Sequence, residues 1–495
     1  MDVVSTRSGA RRIPALQAVL EGIAGDGGLF VPVEFPRLDS GALLRDHRAG
    51  YAHVATAVLD AFFDVGRSTL HPLVSAAYAG FGDDAVAPLR ALGDGTRVME
   101  LFHGPTLAFK DMALQILPRL FRVALEKFDR KDDALILTAT SGDTGKAALE
   151  GFRNVPRTAV YVFYPEDGVA EMQRLQMATQ RGGNVGVCAV KGNFDDAQAG
   201  VKRLFADRAF AAEAGRAGKF LSSANSINIG RLVPQIAYYC NAYAKLVDDG
   251  VVRYGDGVNF AVPTGNFGNI LAAHYAKAMG LPVARLICAS NSNNVLTDFF
   301  NQGRYDARRT FHKTMSPSMD ILASSNLERL LHEICGRDHD VVRGWMRALS
   351  EKGVFDIPAA AREKLSGEFY ADFCDEGETA AAIRRTYETD GYLIDPHTAV
   401  GVRVHQKYRE RTGDDAPTVV ASTANPYKFT PDVLASLTGE TEDDAFEAAA
   451  KLAEYTGGAV PECIAELKRL PVLHDRVAEK DRLDEAARNF LLKIS

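Results

Sequence analysis

The feature that most constrains this chain is an alternation of short apolar runs with amphipathic segments, beginning near residue 97. Segments such as EMQRLQMATQ and DDAQAGVKRLFADRAF have the spacing of amphipathic helices. The apolar runs between such segments are predicted to be strands: VMELF, ALILTAT, TAVYVFY, NVGVCAV, VNFAVPT, ARLICAS and, later, TVVAST. Strands that alternate with helices form crossover units, so the sequence predicts mostly parallel sheets.

The regions outside this alternation differ in character. Residues 1–85 look helical, because AYAHVATAVLDAFF carries apolar residues at three- and four-residue spacings. Residues 301–400 are rich in charge and helix formers, which predicts a helix-rich insertion or lid rather than another sheet. We therefore expect an α/β protein with two doubly wound, mostly parallel-sheet domains: a core at 86–300, completed by 401–495, and an additional helical N-terminal region.

Composition excludes several classes of protein. The 57 Lys and Arg residues against 64 Asp and Glu give a formal charge of −7, whereas a nucleic-acid binder would present a basic face. Six cysteines contain no CxxC pair and eleven histidines no HExxH spacing, so no metal site or disulfide framework is expected. The N-terminus lacks a signal-peptide pattern, and no apolar run is long enough to span a bilayer. We expect a cytoplasmic protein.

The first unusual strand end is ALILTATSGDTGKAALEGF. Here Ser141, Asp143 and Thr144 stand with two glycines between a strand and a helix, where free backbone N–H groups can face an anion. Ordinary helix capping explains the same residues. A P-loop is excluded, because GDTGK is too short for GxxxxGK[ST].

Three further strand ends carry polar or glycine-rich turns. VNFAVPTGNFGNI resembles a phosphate cradle made of Gly265, Asn266, Phe267, Gly268 and Asn269, although turn chemistry accounts for such a loop about as often. FLSSANSINIGR offers Asn225, Ser226, Asn228 and Arg231 to a carboxylate or phosphate; the alternative is an Asn/Ser-rich turn before a surface arginine. Thr423 ends the late strand, where its hydroxyl could also cap a turn.

Lys110 lies among apolar neighbours in HGPTLAFKDMALQ, directly after Phe109. In isolation such a lysine is more often a surface or snorkelling residue. Together with two candidate anion sites and a hydroxyl at a strand end, however, it meets the needs of pyridoxal phosphate. That cofactor requires an amine for a Schiff base, a phosphate cradle and a partner for its pyridine nitrogen. Desolvation would favour the neutral, nucleophilic amine.

With these residues in view, the chain resembles the threonine synthase family of fold-type II pyridoxal-phosphate enzymes. The resemblance covers nearly the whole chain, from STRSGARRIPALQAVLEGIAGDGGLFVP to STANPYKF. Between them lie HGPTLAFKDMALQ, TSGDTGKAA, NSINIGRLVPQIAYY, PTGNFGNI and DPHTAVG. Two positions depart from the family pattern: Asn425, where many relatives carry His, and the pair Ile229-Gly230. Neither departure removes a group with an expected role.

The resemblance implies a role for each candidate residue. Lys110 would carry the cofactor, the 265–269 loop would bind its phosphate, and Thr423 would face the pyridine nitrogen. The substrate would lie against Ser141 and Asp143 at its amino-acid end. Its phosphate would contact a set of polar side chains: Thr144, Asn225, Ser226 and Arg231.

The implied reaction is that of a carbon–oxygen lyase acting on phosphates, in which O-phospho-L-homoserine and water give L-threonine and phosphate. A related phospho-lyase or a threonine dehydratase is the nearest alternative, although the dehydratase needs no phosphate site. A non-catalytic relative need not keep Lys110, and a dinucleotide-dependent dehydrogenase would need GxGxxG. Because the chemistry must exclude water early and admit it late, domain closure is expected, with 301–400 or the N-terminal region moving. The oligomeric state stays open between monomer and homodimer.

Overall fold

The computed structural model describes residues 1–140 and 142–494, leaving aside the side chain of Asp195. Its N-terminal region contains three strands and four helices: β1 (Asp2–Ser5), β2 (Ser8–Pro14), α1 (Ala15–Glu21), β3 (Phe30–Pro32), α2 (Ser40–Ala49), α3 (Tyr51–Phe63) and α4 (Arg67–Tyr78). β1 pairs antiparallel with both β2 and β3. The region expected to be helical therefore also holds a small sheet, whose strands β1 and β3 are too short to show a period of two.

Strands and helices alternate through residues 89–302, as the sequence predicts. They are β4 (Leu89–Ala91), β5 (Arg97–Glu100), α5 (Asp111–Leu114), α6 (Leu117–Lys127), β6 (Asp133–Ala139), α7 (Asp143–Phe152), β7 (Thr158–Pro165), α8 (Glu171–Ala178), β8 (Val185–Lys191), α9 (Phe194–Ala206), α10 (Arg208–Arg216), β9 (Lys219–Ser222), α11 (Ile229–Asp248), β10 (Val258–Pro263), α12 (Gly268–Ala278), β11 (Val283–Ser290) and α13 (Val295–Gln302).

The remainder of the chain is mainly helical. It contains β12 (Arg304–Asp306), α14 (Leu327–Ile334), α15 (His339–Lys352), β13 (Val354–Asp356), α16 (Ala359–Glu368), β14 (Phe369–Phe373), α17 (Glu376–Asp390), α18 (Pro396–Thr412), β15 (Thr418–Ser422), α19 (Thr430–Thr438), α20 (Ala445–Thr456), α21 (Glu462–Ala465), β16 (Val477–Glu479) and α22 (Leu483–Ile494). Short 3-10 turns lie at Pro317–Met319, Pro426–Lys428 and Leu467–Arg469.

Two separate sheets form the α/β core, as expected from the sequence. The larger sheet has the order β14-β11-β10-β15-β5-β4 and is parallel except for β4. The smaller sheet has the order β16-β8-β7-β6-β9 and is parallel throughout. All residues of β7 and β10 are buried, which explains why both read as continuous apolar runs rather than as alternating patterns.

Residues 301–400 differ from the expected insertion. Their β14 is the edge strand of the larger sheet and pairs in parallel with β11, so part of this segment belongs to the core. FYADF alternates weakly and follows a charged helix, so the sequence gives little sign of this pairing. No helix in the described part of the chain is both long and apolar enough to cross a membrane.

The parallel sheets bring several helix starts and strand ends together. α7 follows β6, α11 follows β9, and α12 follows β10, while the loop after β5 leads to α5. Since helices begin at the carboxyl ends of parallel strands, these four connections and the end of β15 open onto one cleft.

Candidate active site

The loop that carries Lys110 is fixed to the end of β15. The backbone N–H of Phe109 donates to the carbonyl of Thr423 at 2.8 Å, and the N–H of Asn425 donates to the carbonyl of Leu107 at 3.0 Å. Leu107 has a left-handed backbone with φ of 59°, which completes the tight turn begun at Gly104. These contacts hold the loop that carries Lys110 against the end of β15, beside Thr423.

The Lys110 amine is largely buried, with 11% of its side chain exposed. Its Nζ is 3.1 Å from Ser318 Oγ and 3.4 Å from Asp143 Oδ2, and it lies 5.2 Å from the centre of the Phe109 ring. Burial lowers the pKa of Lys110; Asp143 opposes this effect, and the positive charge of Lys428 adds to it. A lowered pKa increases the fraction of neutral amine that can act as a nucleophile or base.

Asp143 is the buried anion of this cluster. Its Oδ1 is 2.5 Å from Lys428 Nζ and accepts from Gln173 Nε2 at 2.8 Å, while Oδ2 faces Lys110. Burial alone would raise the pKa of Asp143, but Lys428 and Lys110 outweigh it and hold that pKa well below its usual range. Asp143 is thus a carboxylate shared between two lysines.

Asp111 supports the loop from the other side of Lys110. It is fully buried and accepts from the backbone N–H and the hydroxyl of Thr106, both at 2.8 Å. Burial raises the pKa of Asp111 to about 6. A Cβ added at Gly104 would lie 2.4 Å from the Asp111 Cβ, so only glycine fits the turn before the lysine.

The glycine-rich loop at 265–269 joins β10 to α12. Phe267 has a left-handed φ of 63°, a strained conformation for a bulky residue that turns the chain sharply into the helix. Asn326 donates to the carbonyl of Asn266 through both its backbone N–H, at 3.1 Å, and its Nδ2, at 3.0 Å. A Cβ at Gly265 would lie 2.8 Å from the Ser318 carbonyl oxygen, so the loop and the Ser318 turn pack closely.

Asn269 carries an oriented and unused donor. Its Oδ1 accepts hydrogen bonds from the hydroxyls of Tyr238 and Tyr239. Its Nδ2 is buried without a hydrogen-bond partner. Because a buried polar atom without a partner is costly, this amide is suited to an incoming acceptor.

Arg231 presents a second unused donor, from the first turn of α11. Its Nη1 donates to the carbonyl of Ala224 at 2.7 Å, but its buried Nε has no partner. Burial lowers the pKa of Arg231 to about 10, which leaves the guanidinium almost fully protonated at pH 7. A buried cation with a free N–H is the arrangement expected for binding an oxyanion.

Asn228 has a structural role instead. Its side chain caps α11 by accepting from the N–H of Gly230 at 2.8 Å, and it donates to the carbonyls of Val19 and Ser223. Asn228 is therefore an ordinary helix cap.

One cleft collects most of the residues singled out from the sequence. It has an open volume of about 800 Å³, counted out to its mouth. Asp143 is not among the residues lining it but contacts Lys110, and Ser141 lies outside the described residues. The predicted residues that line it are Lys110, Thr144, Asn225, Ser226, Arg231, Gly265, Asn266, Phe267, Gly268, Asn269 and Thr423.

The sequence reasoning missed Ser318, His397 and Asp395, as well as Lys428, the partner of Asp143. Ser318 and His397 line the cleft, and Asp395 orients the histidine. The N–H of Ser318 donates to His397 Nε2 at 3.1 Å, and His397 Nδ1 is 2.8 Å from Asp395 Oδ1. With Nε2 accepting, Nδ1 must carry the proton. The DPH of DPHTAVG was the available signal, because an aspartate two residues before a histidine can both cap a helix and fix a ring.

Family models match almost the whole chain. Residues 2–78 match the N terminus of threonine synthase, 89–424 match pyridoxal-phosphate-dependent enzymes, and 398–486 match the C-terminal part of threonine synthase. The chain belongs to the threonine synthase family. The described cleft residues fall within 89–424, so the site lies in the part that this family shares with other pyridoxal-phosphate-dependent enzymes.

Individual members of the threonine synthase family are similar to this chain over most of its length. The chain is 40% identical to threonine synthase of Pseudomonas aeruginosa over 87% of its own length and 89% of that protein. The crystal structure of threonine synthase from Brucella melitensis with bound pyridoxal phosphate superposes with a TM-score of 0.87 at 37% identity, over 100% of this chain and 99% of that one. Human threonine synthase-like 1 is 40% identical over 95% of this chain, which spans only 62% of that longer protein.

Proposed function

We propose that the protein is a threonine synthase, which converts O-phospho-L-homoserine and water into L-threonine and phosphate with pyridoxal 5'-phosphate as cofactor. The observation that carries the proposal is that one cleft holds both a buried lysine of lowered pKa, Lys110, and a buried guanidinium with a free N–H, Arg231. The first group suits a Schiff base, and the second suits a phosphate.

The residues present fit the cofactor. Lys110 offers the amine, and the 265–269 loop offers backbone N–H groups at the start of α12. Asn269 adds the buried Nδ2 that has no protein partner. Thr423 lines the cleft, and its hydroxyl is the proposed partner of the ring nitrogen; a hydroxyl, unlike a carboxylate, does not favour a protonated ring. When bound, pyridoxal phosphate supplies an electron sink for the carbanion formed next to the substrate amine.

Lys110 is the proposed acid and base. With substrate bound, the free Nζ would remove the proton from Cα and then one from Cβ, after which phosphate would leave from Cγ. Nζ would then return one proton to Cγ, which becomes the methyl group. After water has added its hydroxyl group at Cβ, Nζ would return the other proton to Cα, and the remaining proton of the water balances the released phosphate. Ser318 Oγ and Asp143 Oδ2 hold Nζ in position. Because Lys428 and Gln173 engage the other oxygen of Asp143, we assign this carboxylate to Lys110 rather than to the substrate.

Arg231 is the proposed binding residue for the substrate phosphate, together with Thr144, Asn225 and Ser226. Charge develops on the phosphate as its bond to Cγ breaks, and a fixed buried cation stabilises that charge more than water does. The free Nε of Arg231 supports this role, and it argues against a dehydratase, which has no phosphate to bind.

His397 is proposed to position the Ser318 turn. Its Nε2 lone pair is occupied by the Ser318 N–H and its Nδ1 proton by Asp395, so neither nitrogen is available to accept a substrate proton. The pair fixes the turn whose hydroxyl contacts Lys110.

Domain closure is proposed for water exclusion, with the smaller sheet and its helices as the moving part. The N-terminal region and residues 301–400, either of which was expected from the sequence to move, are connected to each other by hydrogen bonds. Arg7 forms two hydrogen bonds of 2.8 Å with Glu328, and the fully buried Arg329 donates to the carbonyls of Phe30 and Ile227. These contacts favour a fixed N-terminal region and a fixed α14. Solution scattering with a substrate analogue should show compaction; an unchanged profile would count against closure.

Product analysis of the purified holoenzyme tests the proposed reaction. O-phospho-L-homoserine should give threonine and phosphate in equal amounts, and in ¹⁸O-labelled water the threonine hydroxyl should carry the label. Phosphate with a keto acid would instead identify a phospho-lyase that uses the same lysine. Keto acid formed from threonine would identify a dehydratase.

A further inference from the structure

A second cavity lies behind the loop that carries Lys110. We call it the rear cavity; its walls include Pro105, Lys146, Gln176, Arg181, Cys463 and Arg469. It lies between α7, the end of α8 and the C-terminal segment that holds α21. Its open volume, counted as for the cleft, is about 1290 Å³, which is ample for a small metabolite.

The rear cavity is locally positive in an acidic protein. Four cationic side chains line it, Lys146, Arg153, Arg181 and Arg469, against the carboxylates of Glu150 and Glu466. Glu150 already pairs with Lys146 at 3.3 Å and Arg153 at 3.1 Å. Within the described part of the chain, Arg181 and Arg469 have no ion-pair partner. Two free guanidiniums at one opening are suited to carboxylate or phosphate groups.

A buried amide faces the same space. Gln176 is only 2% exposed, yet its Oε1 has no hydrogen-bond partner. Next to it, Lys146 Nζ is 2.5 Å from Gln180 Oε1, so this part of the wall is rigid and polar. A buried group without a partner is the exception in folded proteins and indicates a missing partner.

The cavity wall is connected to the Lys110 site through two helices. On α7, Asp143 contacts Lys110, and Lys146 lies one turn further on the same face. On α8, Gln173 donates to Asp143 at 2.8 Å, and Gln176 lies one turn further. Residues three apart share a helix face, so each helix presents one turn to the cleft and the next turn to the rear cavity.

The lysine loop itself forms another part of the wall. Pro105 lines the cavity, and the next residue, Thr106, accepts a hydrogen bond from Lys428 through its carbonyl at 2.9 Å. The Thr106 hydroxyl also donates to Asp111. A ligand in contact with Pro105 would therefore affect the segment that carries Lys110. The same segment holds Lys428, the cation that pairs with Asp143.

We propose that the rear cavity binds a small anionic metabolite through Arg181, Arg469 and the Gln176 amide, and that its occupancy alters the Lys110 site. The ligand carries at least one carboxylate or phosphate group and a hydrogen-bond donor for the Gln176 oxygen. Binding does not depend on the proposed reaction; its effect on the Lys110 site rests on the proposed cofactor.

Calorimetric titration of the holoenzyme with citrate and with inorganic pyrophosphate, at constant ionic strength, tests the binding. The pair Arg181→Ala/Arg469→Ala should weaken the tighter of the two probes at least tenfold. The control Arg253→Ala removes an arginine whose side chain is 94% exposed and should change affinity less than twofold. The preferred probe identifies carboxylate or phosphate as the ligand chemistry. Absence of binding by both probes, or equal binding by the double variant, would overturn the proposal.

Cys463 provides a reporter in the wild-type chain. It is exposed and lines the cavity, so saturating probe should slow its alkylation by iodoacetamide at least fivefold. Mass spectrometry follows this residue, with the half-exposed Cys335 as an internal reference. A bound probe that leaves Cys463 labelling unchanged would place the anion elsewhere and refute the site. If the probe protects Cys463 while the visible absorbance of the cofactor stays constant, the coupling to Lys110 is refuted.

Discussion

The cleft around Lys110 and the rear cavity share two helices, yet they hold their charges in opposite ways. Beside the cleft, the buried Asp143 contacts both Lys110 and the buried Lys428. In the rear cavity, Arg181 and Arg469 are exposed and have no ion-pair partner in the described residues. Buried charges that pair are expensive to disturb and perturb one another's pKa, whereas exposed charges cost little to remove. The comparison teaches that burial and pairing, rather than residue type, decide what a charge can do.

The largest effect should come from breaking the buried pair. Lys428→Met leaves Asp143 without its closest cation and should lower the free energy of unfolding by about 3–5 kcal/mol. Lys468→Met is the matched control, since that side chain is 47% exposed with contacts of 3.5 and 3.9 Å to Asp444 and Glu447, and it should cost at most about 1 kcal/mol. Urea unfolding monitored by circular dichroism measures both variants, and equal losses would contradict the contrast between buried, paired charges and exposed ones.

The pH dependence of the free energy of unfolding should reveal the raised pKa of Asp111, the buried carboxyl group beside the cleft. Burial raises the pKa of Asp111 from 3.8 to about 6, so the folded protein binds this proton more tightly than the unfolded chain. The stability that protonated Asp111 contributes is therefore present below pH 3.8 and lost as pH rises to 6. Relative to Asp111→Asn, the wild type should lose about 2 kcal/mol of unfolding free energy between pH 4 and pH 6.

Comparing the two proteins cancels the titration of other groups. His405 has the opposite effect over much of the same range, because burial lowers its pKa from 6.5 to about 4. The stability that neutral His405 contributes is present above pH 6.5 and is lost as pH falls to 4. The difference between wild type and Asp111→Asn removes that contribution. A difference that stays constant with pH would contradict a raised Asp111 pKa.

Arg231→Lys tests the buried guanidinium against the exposed ones. Lysine keeps the charge but loses the free Nε donor and the planar geometry, so kcat/KM for O-phospho-L-homoserine should fall by about 10²-fold. Arg469→Lys in the rear cavity should leave kcat/KM, without added anion, within about twofold of the wild type. The visible absorbance of the cofactor should persist in both variants. Loss of the cofactor from Arg231→Lys would assign this residue to the cofactor phosphate instead.

The smallest effect is expected at the end of β15. Thr423→Val removes one hydroxyl proposed to face the pyridine nitrogen, and kcat should fall about three- to tenfold, the equivalent of one neutral hydrogen bond. Thr418→Val, at the other end of the strand, removes a hydroxyl that donates to Ala416 at 3.1 Å and should leave kcat unchanged. Similar losses of kcat from both variants would indicate a general effect on the strand.

Local sequence patterns were sufficient to predict the parallel strands β5–β8, β10, β11 and β15, and they drew attention to the glycine-rich loop and to Lys110. Buried parallel strands form continuous apolar runs, and Lys110 is conspicuous among apolar neighbours. Ser318, His397 and Lys428 could not be placed in this way, because their contacts span long sequence separations. Ser318 reaches Lys110, Lys428 reaches Asp143, and His397 reaches Ser318. β14 could not be predicted for the same reason, because its membership in the larger sheet depends on pairing with β11 rather than on its own sequence pattern.

The roles of individual polar residues also depend on tertiary contacts. Asn228 and Asn269 looked alike as asparagines near helix starts. One caps α11, whereas the other is held by Tyr238 and Tyr239 with a free donor. A sequence specifies that such residues lie near a strand end but not which of their atoms are already used.

The most direct test of the central claim compares wild type, Lys110→Ala and the exposed-lysine control Lys245→Ala after loading with pyridoxal phosphate. Visible absorbance is recorded first, and threonine and phosphate release from O-phospho-L-homoserine are then measured. The wild type and Lys245→Ala should absorb in the visible range and form equal amounts of the two products. Lys110→Ala should lose the lysine-bound absorbance and at least about 10³-fold in rate. Threonine formation by Lys110→Ala at the wild-type rate would contradict the account.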